Sequence, residues 1–200
     1  MGAAQMFGTR GVEATSIREL AKFSETPLGS IYHYFPGGKT ELIAATIQWM
    51  DDGVKAILDQ GRAHGAPAAF DAFIETWTHY LANTNYRASC PVLAGALEDV
   101  RADDVVISSA ASTAFRSWKD LIAAMLREEG VAEERADALA WLVLSTIEGA
   151  VSLCRTQRSP TPLNAAAREL RELIVGVLAV SPAGPVSPVR PAGPVSPVGD

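Results

Sequence analysis

Side chains that can donate hydrogen bonds are concentrated in the stretch from Thr26 to Lys39. Tyr32 and Tyr34 carry phenolic hydroxyls, and His33 between them carries an imidazole N–H. Lys39 follows a Pro-Gly-Gly break, which places it at a helix amino terminus, where its charge and the helix dipole both suit a phosphate. Because proteins contact phosphates and base edges with such groups, the stretch is a candidate nucleic-acid interface.

The sequence contains no arrangement typical of a catalytic or metal centre. The three histidines, His33, His64 and His79, lack the HExxH spacing, and no GxSxG, Walker or GxGxxG motif occurs in the required context. Two acidic pairs, 103–104 and 128–129, are expected to be solvated helix ends. We therefore predict a protein that is not an enzyme and has no cofactor and no metal site.

Two short helices joined by a tight turn are predicted to position the donors. Ser16 and Glu19 form a capping box at the start of the first helix, and Pro27 suits the first turn of the second. Residues 36–38, Pro-Gly-Gly, end the second helix. Its predicted buried face consists of Ile31, Tyr34 and Phe35. This is the helix-turn-helix pattern, whose second helix can lie in the major groove of DNA.

The order of residues around this pattern adds a family resemblance. The sequence IYHYFPGGKTEL at 31–42 resembles the end of the DNA-binding domain in TetR-type transcriptional regulators. The PGGK form, with SCPV at 89–92 and ALE at 96–98, is similar to the LmrA/YxaF-type subgroup. The resemblance is specific over residues 6–47 and continues more weakly, as an all-helical pattern, to about residue 180.

The resemblance implies which residues would contact DNA. They are Ser16, Thr26, Pro27, Leu28, Gly29, Ser30, Tyr32, His33, Tyr34 and Lys39. Two positions depart from the family pattern: Leu28 stands where lysine is frequent, and Glu25 stands at the turn where glycine is usual. A leucine can contact a thymine methyl group but cannot hold a phosphate. Binding is therefore expected to be weaker or more salt-sensitive than is usual in the family.

The charge balance agrees with weak binding. The formal net charge is −6, and the first 50 residues hold four basic and four acidic side chains. Such a composition argues against indiscriminate binding to nucleic acid or to anionic membranes. Family members usually carry further basic residues ahead of the point where this chain begins, so its first helix is expected to be truncated. Either the start is misassigned or those contacts are missing, and both alternatives stay open.

The rest of the chain predicts an all-α protein in three parts. Residues 1–47 form the helix-turn-helix domain, and residues 48–180 form a helical ligand-binding and dimerisation domain. Apolar periodicity predicts helices over 39–63, 68–85, 92–100, 105–129, 132–154 and 163–180. Residues 181–200 contain PAGPVSPV twice, which predicts a disordered tail of polyproline II character. The tail is either an inert extension or a proline-rich segment that binds a partner.

The resemblance also implies a mostly apolar ligand pocket between the helices of the larger domain. Tryptophan is large, and its N–H needs a hydrogen-bond partner, so four tryptophans are more than core packing alone requires. Core packing remains the alternative explanation for them. The predicted lining residues are Trp77, Tyr80, Cys90, Leu93, Trp118, Ile122 and Trp141. The effector is expected to be a small hydrophobic or aromatic molecule.

The last two helices have more apolar surface than one chain needs, and the family dimerises through these helices. The predicted dimerisation residues are Leu139, Leu142, Val143, Ile147, Val151, Leu170, Leu173, Ile174 and Val177. A homodimer places two recognition helices on successive turns of DNA, which implies a palindromic operator.

The predicted function is a TetR-type repressor that is released from this operator by its effector. The alternative is a small-molecule-binding helical dimer whose DNA binding is weakened or lost, and an enzyme using the apolar pocket is a third.

Cysteine usage and hydropathy indicate the compartment. Cys90 and Cys154 lie far apart with no CxxC, so they are expected to be reduced, buried thiols. No signal peptide is recognisable. The most apolar stretch, residues 139–153, contains Ser145, Thr146 and Glu148, and it therefore predicts a buried helix and not a membrane span. We expect a cytoplasmic protein with no membrane partner.

Overall fold

The computed structural model describes residues 2–97 and 105–181, and these residues form helices and connecting turns with no strand. The described helices are α1 (Gly2–Arg10), α2 (Ile17–Phe23), α3 (Leu28–Tyr34), α4 (Gly38–Arg62), α5 (Ala66–Asn83), α6 (Pro91–Leu97), α7 (Val105–Glu128), α8 (Glu133–Gln157) and α9 (Thr161–Val180). The all-α prediction is confirmed. The end predicted for the helix over 92–100 and the proline-rich tail lie outside the described residues.

The amino-terminal helices form a small core of their own, and we call α1–α3 with the first turns of α4 the head. The capping box is present: the Glu19 amide donates to Ser16 Oγ at 3.2 Å, and the Ser16 amide donates to Glu19 Oε2 at 3.0 Å. Both bonds satisfy amides that a helix start leaves unpaired. The apolar core of the head consists of Met6, Leu20, Ala21, Ile31 and Leu42.

One expectation about the second short helix is wrong. Tyr34 is 73% exposed, whereas Ile31 is buried and Phe35 packs partly buried against the core of the head. The backbone leaves helical geometry at Phe35, which has φ −130° and ψ 71°. This departure turns the Phe35 ring towards the core, and Tyr34, at the end of the two-turn helix, points to solvent.

The larger part of the chain, which we call the body, is built from α4 to α9 around one apolar core. Trp118, Leu58, Leu81, Leu139 and Ile147 are among its fully buried side chains. α4 belongs to both parts, because Leu42 packs in the head and Leu58 packs in the body. A single helix of 25 residues therefore joins the two parts without a break.

A buried carboxylate ties α4 to α7. Asp51 is only 3% exposed, and its Oδ1 accepts a hydrogen bond from Trp118 Nε1 at 2.9 Å. Lys55 Nζ lies 2.5 Å from the other carboxylate oxygen. Since a charge is stable in a core only when it is paired and hydrogen-bonded, these two partners explain how Asp51 is accommodated. The Trp118 indole N–H has its partner here.

α8 is the one helix among the described residues that is long and apolar enough, by length and composition, to cross a membrane. Its apolar window has a mean hydropathy of 1.4, and 44% of that window is buried inside the chain. One face carries Leu139, Val143, Ile147 and Val151 into the core, while the opposite face is exposed. Core helices of soluble proteins pass the same test, so this is a weak indication of a membrane span.

Candidate nucleic-acid interface and the helical body behind it

The donors singled out in α3 lie on its exposed side. Tyr32, His33 and Tyr34 are exposed, and the His33 and Tyr34 rings meet edge to face with centroids 5.3 Å apart. Gly29 is also exposed, with open space around the position that a Cβ would take. α3 therefore has a narrow exposed surface two turns long, made of the two tyrosine hydroxyls, the His33 imidazole and the backbone at Gly29. Such a surface can approach base edges closely.

The residues around α3 are used partly in the head itself. Leu28 and Ser30 are half-buried, and Leu28 packs against the core of the head. The Thr26 hydroxyl donates to the Ser24 carbonyl at 3.2 Å within the turn. Pro27 is exposed at the start of α3, and Ser16 serves as the cap of α2. Their contact with DNA stays a prediction.

The turn between α2 and α3 contains a strained residue. Glu25 has φ 52°, in the left-handed region that non-glycine side chains disfavour. Its side chain is exposed beside the recognition helix. The family's usual glycine would adopt this conformation without strain and would carry no negative charge, so this departure acts on both the backbone and the electrostatics.

The start of α4 is already partly satisfied by protein groups. Lys39 Nζ donates to the Glu13 carbonyl at 3.1 Å, which ties α4 to the loop before α2. Glu41 Oε2 accepts the Gly37 amide at 2.7 Å and thereby places a carboxylate where a phosphate would bind. Lys39 remains a candidate phosphate contact, but it would have to share or leave the carbonyl.

Two basic side chains on α2 were not singled out from the sequence. Arg18 and Lys22 are both exposed and lie one helical turn apart on the same face. Nothing in the sequence except their charge marks them, because their roles depend on which face of α2 the head leaves open. They add positive charge to a head whose other arginine, Arg10, lies 3.6 Å from Glu19.

The predicted pocket residues occupy several places in the body. Trp77, Cys90, Trp118 and Ile122 are buried, whereas Tyr80 and Leu93 are half-buried. The cavity beside Ile122 has a volume of about 20 Å³, which is about the space of one water molecule. The prediction that Trp141 lines the pocket is wrong, because this residue is 46% exposed on the outer face of α8 and does not point into the body.

A larger opening lies between α4 and α7. This groove has a volume of about 500 Å³, within the range typical of small-molecule sites. Its wall from α4 consists of Ile47, Gln48 and Asp51, and its wall from α7 consists of Val105, Val106, Ser109, Ala110, Thr113 and Ala114. Trp118 reaches it indirectly, through its hydrogen bond to Asp51.

Most of the predicted dimerisation residues belong to the core of the chain itself. Six of them are buried within one copy: Leu139, Val143, Ile147, Val151, Leu170 and Ile174. Leu173 and Val177 are half-buried against the same core, and only Leu142 is clearly exposed. The prediction identified an apolar face correctly but assigned it to a second copy, when α8 and α9 use that face to pack on their own chain.

A different face of these helices remains open. On α8 its exposed members are Ala138, Trp141, Leu142, Ser145, Gly149, Ser152 and Leu153, and on α9 they are Val175, Gly176, Ala179 and Val180. The spacing of three and four residues places those of α8 along one stripe. We call these residues the outer stripe. Its small and apolar side chains permit close approach of another helix.

Buried polar groups meet where α8 passes the segment before α6. Glu148 contacts Cys90, and burial raises the pKa of the Glu148 carboxyl to about 7. Burial, with the neighbouring Glu148 charge, also raises the pKa of the Cys90 thiol well above its usual value. Glu148 Oε2 and Tyr80 Oη are buried without a hydrogen-bond partner. A thiol with a raised pKa is unreactive, which agrees with the expectation of buried, reduced cysteines.

Comparisons with known proteins agree with this architecture. Residues 2–46 match the family model described as bacterial regulatory proteins, tetR family, and residues 66–169 match the one described as transcriptional regulator LmrA/YxaF-like, C-terminal domain.

Individual relatives cover nearly the whole chain. An HTH-type transcriptional regulator of Mycobacterium tuberculosis is 35% identical over 182 residues, covering 89% of this chain and 93% of that protein. The HTH-type regulator YxaF of Bacillus subtilis is 30% identical, with 86% and 91% covered.

Solved structures share the fold. The chain is similar to a TetR transcriptional regulator from Legionella pneumophila, with a TM-score of 0.75, 21% identity, and 86% of this chain and 92% of that chain covered. It is also similar to the regulatory protein TetR from Rhodobacter sphaeroides, with a TM-score of 0.73, 24% identity, and 86% and 94% covered.

Proposed function

Because this chain belongs to the TetR family of transcriptional regulators, we propose that it is a repressor released from a palindromic operator by a small hydrophobic molecule. The resemblance to LmrA/YxaF-type regulators found in the sequence is confirmed by the family models and the relatives. The observation that carries the proposal is the exposed donor surface of α3 on a head of the matching fold. Since its target is chromosomal DNA, we infer that the protein acts in the cytoplasm.

The recognition surface combines base and backbone contacts. Tyr32 and His33 on α3 are the donors proposed to contact base edges, and Tyr34 extends the same exposed side. Arg18 and Lys22 on α2 are proposed to contact phosphates. With few cations and a strained Glu25 nearby, binding is expected to be strongest at low salt.

Dimerisation is proposed through the outer stripe of α8 and α9. A protomer whose exposed stripe includes Trp141, Leu142 and Leu153 buries that apolar area when a second copy packs against it. The small residues Gly149 and Gly176 allow the helices to come close. A two-fold axis through this interface would place two α3 helices on one face of DNA, which requires a pseudo-palindromic site.

The effector is proposed to bind in the groove between α4 and α7. The groove is mostly apolar, with Gln48, Ser109 and Thr113 as polar groups that could orient a ligand. Because α4 begins in the head, a ligand that separates α4 from α7 also displaces α3. Release then follows if the ligand favours a head position that the operator does not.

The test begins with selection of bound duplexes from a randomised library by the purified full chain at low salt. We expect enrichment of a palindromic motif, and we expect Tyr32→Phe to weaken the gel shift of that motif by about tenfold. Arg168→Met, which removes an exposed cation of α9 in the body, is the control and should leave the shift unchanged. If no motif is enriched, the repressor proposal is wrong.

The effector site is tested with N-phenyl-1-naphthylamine, a neutral apolar probe that becomes fluorescent in dry pockets. Ala110→Phe should fill the groove and reduce probe fluorescence several-fold. Ala82→Phe, at an exposed position of α5, lies outside the groove and is the control. Equal probe binding by the two variants would rule out the groove between α4 and α7.

A second candidate is a ligand-binding dimer with weakened DNA binding. Three features of the head favour it: Leu28 turned partly inward, the charge of Glu25 beside α3, and Glu41 at the start of α4. Probe binding together with failure to enrich any duplex would support this alternative.

A further inference from the structure

α1 packs in both parts of the molecule. Met6 lies in the core of the head and its neighbour Phe7 lies in the core of the body, and each is 2% exposed. α2 packs on α1, and α3 packs on α2 and shares the core of the head with Met6, so the orientation of the recognition helix follows that of α1. The head is thus joined to the body in two ways: covalently through α4, and by packing through α1.

The carboxyl end of α1 is held by hydrogen bonds from the body. The Ser89 amide donates to the Gly8 carbonyl at 2.8 Å, and the Ser89 hydroxyl donates to the same carbonyl at 3.1 Å. Arg155 on α8 donates through Nη2 to the Thr9 carbonyl at 3.1 Å and through Nη1 to Ser89 Oγ at 3.2 Å. We call Gly8, Thr9, Ser89 and Arg155 the α1 junction.

The α1 junction is closely packed as well as hydrogen-bonded. A Cβ at Gly8 would lie 2.2 Å from Tyr80 Oη and 2.8 Å from the Ser89 carbonyl oxygen, so the bare backbone of α1 at Gly8 lies directly against these two groups of the body. The Gly8 position has no room for a shift of α1 towards α5. The guanidinium of Arg155 contacts two different segments at once, and its planar geometry fixes the angle between them.

Arg155 also belongs to the helix that carries the outer stripe. It lies two residues after Leu153 and one residue before exposed Thr156. A single side chain therefore connects α1, which carries α2 and through it the recognition helix, to the helix proposed to meet the second copy. The SCPV segment at 89–92, which the DNA-reading function does not use, supplies the intermediate contact through Ser89.

We propose that Arg155 is a positioning residue that sets the separation of the two recognition helices by fixing α1 against α8. This inference rests on the proposed function, because it concerns a dimer bound to two half-sites. Removal of the guanidinium leaves the dimer interface and the α3 surface intact but allows α1 to vary its angle. The protein should then bind DNA less tightly and discriminate less between half-site spacings.

The experiment uses the selected motif in a series of duplexes whose half-site spacing is changed by one and two base pairs in each direction. Wild-type affinity should peak sharply at one spacing. Arg155→Met should lose on the order of tenfold in affinity at that spacing and should show a flatter profile across the series. A merely structural defect would lower all affinities and leave the shape of the profile unchanged.

The chain provides a matched control on the same helix end. Arg158 Nη1 donates to the Tyr86 carbonyl at 2.9 Å, so Arg158→Met removes the same charge and a similar bond without touching α1. Its spacing profile should match that of the wild type. Arg155→Lys should be intermediate, because a single ammonium cannot reproduce the two-nitrogen geometry.

Ser89→Ala keeps the hydrogen bond from the Ser89 backbone amide to the Gly8 carbonyl and removes only the contacts of the hydroxyl. This variant therefore tests the junction even if Arg155→Met fails to fold. A smaller flattening of the profile supports the proposal. If Ser89→Ala retains the wild-type profile, as does any Arg155→Met that folds as a dimer, the proposal is wrong and the repressor function stands. A wild-type protein that selects no duplex overturns the repressor function and this inference together.

Discussion

Replacement of Glu148 by glutamine tests the energetics of the body directly. The side chain is nine-tenths buried beside Cys90, and its Oε2 has no hydrogen-bond partner. Burial raises its pKa from 4.5 to about 7, because the ionised form loses its hydration without gaining a counter-ion. Arg155, two turns along α8, is directed to Thr9 and Ser89.

The sign of the pH effect follows from this shift. Between pH 4.5 and 7 the folded state holds a proton on Glu148 that the unfolded state has lost, so stability falls as pH rises through this window. Each pKa unit corresponds to about 1.4 kcal/mol, so the shift costs the protein roughly 3 kcal/mol above pH 7. Below pH 4.5 this contribution is fully retained.

Glutamine has the same shape and cannot ionise, so the variant should lose this part of the pH dependence. In urea unfolding from pH 5 to 8.5, the free energy of unfolding of Glu148→Gln should increase relative to that of the wild type as pH rises. The difference should reach roughly 3 kcal/mol at the upper end. Glu75→Gln, at an exposed position of α5, is the control and should follow the wild-type curve. A constant difference between Glu148→Gln and wild type across this range would refute the reasoning.

Three further perturbations follow from the fold. Glu25→Gly should relieve the left-handed strain and raise the free energy of unfolding by about 1 kcal/mol, whereas Glu25→Gln should not; thermal melts distinguish the two. Trp118→Phe should cost about 1–3 kcal/mol in urea unfolding, because it leaves a buried oxygen of Asp51 without its donor. Leu153→Arg on the outer stripe should leave the helical circular dichroism unchanged but yield a monomer in sedimentation, and an intact dimer would exclude that face.

Local signals in the sequence were sufficient for the elements of the fold. The capping box at Ser16 and the apolar spacing along each helix depend on neighbours within a few residues, and they predicted the helices near their observed bounds. The resemblance at 31–42 identified the head, because that stretch includes the exposed side of α3. The local pattern does not contain the direction in which α3 ends, and for this reason the pattern places Tyr34 in the core although the residue is exposed.

The assignment of faces on α8 shows a different limit. An apolar stripe indicates that a face is buried, but not whether its own chain or a second copy covers it. Leu139, Val143 and Ile147 satisfy the stripe within the chain, and the outer stripe was obscured by its small and polar members. The sequence does contain a signal for the buried charge of Asp51, which lies on the same helical face as Ile47 and Val54. A carboxylate that interrupts an apolar face indicates that a buried partner must pair with it.

The two connections between head and body define what an effector has to overcome. The groove meets α4 at residues 47–51, about ten residues or 15 Å from the start of the helix, so a tilt of about 5° there moves the head by roughly 1 Å. The α1 junction opposes that movement, because Arg155 and Ser89 hold α1 against α8. A ligand therefore has to supply free energy comparable to these bonds, which is the 1–3 kcal/mol typical of coupling between sites. Weakening the α1 junction would lower the free energy that the ligand has to supply. Arg155, proposed to fix the half-site spacing that the dimer prefers, would therefore also set how tightly an effector must bind to cause release.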